Sequence, residues 1–139
     1  MKKVDKILLG VLFISIIVVS IIIFSSYSKN VYVPQNNYQE QAVKLVLRDL
    51  GYNVIDAGYD KSEDYVYVSM YSTNEPILQT YAGFGALKGA YPDDNYYIIT
   101  LAGEGNICSF GVSNIALDNY LDGRLSEIQF FLSIESICD

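Results

Sequence analysis

The run ILLGVLFISIIVVSIIIF, Ile7 to Phe24, holds 18 residues without a charge. As a helix rising about 1.5 Å per residue it covers about 27 Å, close to the roughly 30 Å hydrocarbon core of a bilayer. A buried strand needs only about 4 to 8 residues. Ten of the eighteen are Ile or Val, which form helices poorly in water. In lipid every backbone polar group must bond within the segment, so helix is the form open to a lone span. A retained transmembrane helix over residues 7–24 is therefore expected.

The rival reading is a cleaved leader. Ser26 and Ser28 stand at the spacing a signal peptidase uses, yet the apolar region of a leader runs about 7 to 15 residues and this one is longer. The helix end has no cysteine for an acyl anchor, and MKKVDKILLG lacks the glycine of a pilin-type processing site. Lys2, Lys3 and Lys6 precede the run and Lys29 alone follows closely. Positive residues stay cytoplasmic, which puts residues 1–6 inside and the rest of the chain, past a 25–36 linker, outside the cell membrane.

Beyond Ser28 the chain suffices for one modest core, an extracytoplasmic domain over residues 37–139. From Asn30 onward, Lys44, Arg48, Lys61, Lys88 and Arg124 face 15 carboxylates. So acidic a surface repels phosphate backbones, and no nucleic acid partner is expected. The chain contains 13 tyrosines but no histidine. Ser-His-Asp and Cys-His catalysis, His-ligated metals and an imidazole proton shuttle are thereby excluded.

The patterning gives the order α-ββ-α-ββ-α. In NYQEQAVKLVLRDLG, Tyr38, Ala42, Leu45, Val46 and Leu50 recur at helical spacing, with Val43 and Leu47 widening the stripe. Asn37 and Glu40 fit a capping box and Gly51 a left-handed C-terminal position. A hairpin follows, Tyr52–Asp56 with Asp64–Ser72, in which Val66, Val68 and Met70 form the core face and Tyr65, Tyr67 and Tyr71 the other. Pro76 and Pro92 bracket a helix of about 14 residues. Gly83, Gly85 and Gly89 weaken that helix, which argues that it lies very close against the sheet. A phosphate-cradling GxGxxG is not the explanation: Lys88 fills the third glycine slot, and no strand precedes it.

A second hairpin, Tyr96–Ala102 with Ile107–Val112, turns at Gly103-Glu104-Gly105-Asn106. Helical spacing returns in SNIALDNYLDG and in LSEIQFFLSIES, where Ile128, Phe131 and Leu132 mark the stripe and Glu135 its exit. The simplest arrangement is an α+β domain with a mainly antiparallel four-stranded sheet and its helices mainly on one face.

Cys108 on a strand and the penultimate Cys138 are expected to form a disulfide in an oxidising compartment. The acidic loop DAGYDKSED has Asp56, Asp60, Glu63 and Asp64, and YPDDNY adds Asp93 and Asp94. Calcium takes six to eight oxygens, but the glycine and distal glutamate of an EF-hand loop are missing, so a solvated turn is the better reading. No cofactor, metal centre or catalytic constellation is expected. Tyrosine is enriched at interfaces, where it gives contact area at small entropic cost.

The expectation is a single-pass, membrane-anchored, non-catalytic binding module of the cell envelope. It would contact lipid through residues 7–24 and another envelope or membrane protein through Tyr65, Tyr67 and Tyr71. Two alternatives are a structural subunit of a surface assembly and a small glycan-binding or glycan-cleaving domain using tyrosines and carboxylates. The last would need two acids about 5 to 9.5 Å apart across a cleft.

Overall fold

The computed structural model describes residues 15–18 and 38–139. Residues 1–6, the 25–36 linker with Ser26 and Ser28, Asn37, and the 7–24 run except for its helical piece 15–18 lie outside the described residues. Among the described residues no helix is long and apolar enough to cross a membrane.

The described domain runs α1 (Tyr38–Asp49), β1 (Val54–Asp60), β2 (Tyr65–Tyr71), α2 (Pro76–Ala90), β3 (Tyr96–Ala102), β4 (Ile107–Ser113), α3 (Asn114–Leu121), α4 (Glu127–Ser133) and β5 (Glu135–Cys138). The sheet has five strands in sequential order, not four. It is mixed: β1·β2, β3·β4 and β4·β5 are antiparallel, whereas β2 and β3 pair in parallel. Both expected hairpins are present. The parallel seam arises because a helix crossing one face returns the next strand in the same direction.

α1 buries Ala42, Val43, Val46 and Leu47, while Leu50 is exposed, so its inner stripe is narrower than the sequence implies. Gly51 adopts φ 92°, and the Gly51 and Tyr52 amides donate to the Arg48 and Leu47 carbonyls. This is a Schellman ending, in which the left-handed residue suits glycine. In the first hairpin β1 starts and ends later than the expected Tyr52–Asp56, whereas β2 falls within the expected Asp64–Ser72, and β1 is bulged between Val54 and Asp56.

α2 is buried on nearly every side, from Gln79 through Leu87 and at Ala90. Gly83 explains how it fits: a Cβ there would meet Ile99 Cδ1 at 2.6 Å. Val66, Val68 and Met70 of β2 and Tyr97, Ile99 and Leu101 of β3 lie at most 3% exposed in the same core. Lys88 fastens the end of the helix. Its Nζ donates to the Pro92 carbonyl (2.8 Å) and Asn114 Oδ1 (2.6 Å) and pairs with Asp118 (2.7 Å).

The C-terminal region departs most from expectation. LSEIQFFLSIES is not one helix: α4 stops at Ser133 and Glu135–Cys138 becomes an edge strand on β4. Its stripe differs too. Phe130 is fully buried, stacked on Tyr120 with centroids 4.5 Å apart, whereas Ile128, Phe131 and Leu132 are at least half exposed. A seven-residue helix docks through one aromatic side chain. The β4 edge and the Cys108–Cys138 bridge draw the following residues into the sheet, because these cysteines face each other directly in the β4·β5 register.

Two tests follow from this packing. The fully buried Gln79 side chain donates to the Tyr71 carbonyl (2.7 Å) and accepts from the Thr73 amide (2.9 Å), tying the end of β2 to α2. Replacing it by Leu leaves both backbone groups without that partner, and urea unfolding is expected to show a loss of about 2 kcal/mol. Cys108→Ala with Cys138→Ala opens a bridge between residues 30 apart, for an expected loss of about 3 to 4 kcal/mol in the chain-entropy account. Amide exchange should then rise first in β5.

Candidate functional site

Among the described residues, the helices share one core with Val66, Val68 and Met70 on that side of the sheet, leaving the opposite side as the candidate site. Alternation and register define it. One row runs Gly58, Tyr67, Ile98, Gly111, Glu135, and the next Asp56, Ser69, Thr100, Ser109, Ile137. Tyr71, Ala102 and Ile107 form a third row at one end, while Tyr65 and Tyr96 stand at the other. Four strand spacings by seven residues give an area of roughly 400 Å². These rows contain no Lys or Arg.

Tyr65, Tyr67 and Tyr71 do share this face, yet they do not form one cluster. Tyr65 and Tyr67 meet edge to face with centroids 6.2 Å apart, while Tyr71 lies about 13 Å further along the strand from Tyr67 at about 3.3 Å per residue. Their surroundings differ. Tyr67 lies across β1, its hydroxyl 3.3 Å from where a Gly58 Cβ would be, and donates to Asp56 Oδ2 at 3.0 Å. Burial, then the Asp56 bond and charge, push its phenol up to about 12.

Tyr96, which sequence reasoning passed over, mirrors this on the other half of the sheet. Its ring lies over Gly111, where a Cβ would meet the hydroxyl at 2.6 Å, and the hydroxyl donates to Glu135 Oε2 at 2.8 Å. Burial followed by the Glu135 bond pushes this phenol up to about 12 as well. Both rings lie over a glycine of a neighbouring strand and end at an acid, which fills the space a missing side chain leaves. Between them Thr100 and Ser109 share a hydroxyl hydrogen bond of 3.0 Å.

The far end is bare and apolar. Tyr71 is 55% exposed, Ile107 52% and Ile137 73%. The alternation in Tyr96, Ile98 and Thr100 could have revealed the first half of this surface from sequence. Ile137 could not be found that way, since its segment reads as helix until the disulfide sets its register.

The acidic loop is a hydrogen-bonded turn. Asp60 Oδ1 accepts from the Ser62 amide (2.9 Å), the Ser62 hydroxyl (2.7 Å) and the Glu63 amide (3.2 Å). Asp64, at φ 56°, accepts from the Tyr59 hydroxyl and Asn95 Nδ2, each at 2.8 Å. These bonds hold both carboxyls below the usual carboxylate range. Among the described residues no group of three or more His, Cys, Asp or Glu is placed to hold a metal ion. On the helix side, Ile77, Tyr81, Phe110, Phe131 and Ile134 line a cavity of about 170 Å³ whose walls include no carboxylate.

No protein-family model, curated protein or solved structure matches the chain.

The lying-down geometry of Tyr96 has a spectroscopic consequence. Gly111→Ala should lift the ring from the sheet and break its bond to Glu135, and alkaline ultraviolet titration should then find this phenol lowered from about 12 towards 10. Glu135→Gln should lower it less, because the larger cause, burial, remains. An unchanged titration in both variants contradicts the assigned geometry.

Proposed function

We propose that the chain is a membrane-anchored, extracytoplasmic binding module. Residues 7–24 hold it in the lipid and its open sheet face docks another envelope protein. The observation that carries this reading is the bare apolar end of that face: Tyr71, Ile107 and Ile137 stand exposed on three strands of one sheet, with no helix above them among the described residues. Exposed apolar surface rimmed by polar groups marks interaction sites. Asp56, Asp60 and Glu135 supply an acidic rim on which Asp56 is already paired with Lys44 of α1 at 3.7 Å, so the fitting partner is apolar at its centre and basic where it meets Asp60 and Glu135. The Cys108–Cys138 bridge supports an oxidising location, since such bonds are rare in reducing compartments.

Size bears on the kind of complex. A standard interface takes about 800 Å² from each partner, roughly twice the open face, so the partner must also grip the loops around it or bind weakly. Tyr67 and Tyr96 are less suited to supply binding energy, because their rings and hydroxyls already serve the sheet. That shifts the binding assignment from Tyr65 and Tyr67 towards Tyr71, joined by Ile107 and Ile137.

The test is affinity capture from solubilised membranes. Tyr71→Ala with Ile107→Ser and Ile137→Ser should reduce recovery of the specific partner at least ten-fold. Each change should alter stability by no more than about 0.5 kcal/mol, as surface substitutions do. A matched variant on the helix side, Ile115→Ser with Leu132→Ser, should retain the partner. Equal recovery by both variants overturns the open-face assignment.

A further inference from the structure

The helical piece at residues 15–18 packs on the domain. Ile17 is 3% exposed and belongs to the same core cluster as α2 and the sheet, with Ile16 packed against it. Its seat is Gly85, where a Cβ would lie 3.0 Å from Ile17 Cγ1 and 3.3 Å from Ile17 Cα. Gly83 and Gly85 are two residues apart, about 200° around a helix at 3.6 residues per turn. One glycine therefore lets α2 approach the sheet, and the other, on the opposite side, lets the N-terminal backbone approach α2.

This seat conflicts with a membrane span. Ile17 is the eleventh residue of the 18-residue run, about 15 Å from its start and about 10 Å from its end as a helix. In a spanning helix it lies deep in hydrocarbon. Seating Gly85 there would bring Lys88, only about 4.5 Å further along the α2 axis, and its Asp118 ion pair into or against lipid. Charged groups at such depth are costly.

We infer that the helical piece at residues 15–18 is an exchangeable cover: it lies over Gly85 of its own domain or, with the rest of the charge-free run, in a bilayer, and the two seats exclude each other. Membrane insertion then uncovers the outer side of α2. The exchange rests on the membrane reading of Ile7–Phe24, whereas the seat over Gly85 does not.

The experiment uses the full chain with its native disulfide and the pair Ile17→Cys/Gly85→Cys. Without lipid, mild oxidation should link the two new cysteines. With vesicles of phosphatidylcholine and phosphatidylglycerol, the chains that float should show at least ten-fold less of this link. Absence of the link without lipid overturns the seat, and an equal link in floated chains overturns the exclusion. A link with no flotation overturns the exchange and the membrane reading together, while the seat stands. Gly85→Leu, a better helix former that fills the seat, should raise flotation several-fold at limiting lipid. Unchanged flotation also overturns the exchange.

Discussion

The close approach of α2 to the sheet underlies the whole domain. Gly83 removes the side chain that would otherwise collide with Ile99, and that contact allows α2 to cover the β2·β3 seam. The seam is parallel because α2 carries the chain across it. A longer residue at position 83 would have to displace Ile99 or push the helix outward. Gln79 and Lys88 fasten the two ends of the same helix, the first to β2 and the second to Asn114 and Asp118 of α3. A single crossover thus positions both hairpins.

With the helices on one side, each strand sends alternate side chains to the other. The open face must satisfy two demands there: its glycines need cover, and its acids need partners. Tyr67 and Tyr96 meet both at once, each lying across a glycine and ending at a carboxylate. The half near Tyr65 is therefore self-sufficient. Tyr71, Ile107 and Ile137 have no comparable arrangement, and this contrast within one surface separates tyrosine as sheet filler from tyrosine as contact.

The disulfide has a positional role as well as an energetic one. Without it, Glu135–Cys138 would be a four-residue exposed edge segment after a short helix. By joining facing residues of β4 and β5 it holds the register that places Ile137 beside Ser109. The apolar end of the open face thus depends on an oxidised pair.

Local chemistry written in the sequence determined the hairpins, the bracketed α2, the valine core face, the tyrosine alternation and the cysteine pairing. The first four are set by strand period and by proline and glycine placement within a short stretch, and the last by there being two cysteines to pair, 30 residues apart. Tertiary structure alone decided the parallel seam, the conversion of the last residues from helix to strand, the choice of Phe130 over Phe131, and the flat packing of Tyr96 on Gly111. Those outcomes depend on which surfaces meet across the chain, and a helical or alternating pattern shows which residues share a face without showing what that face will touch.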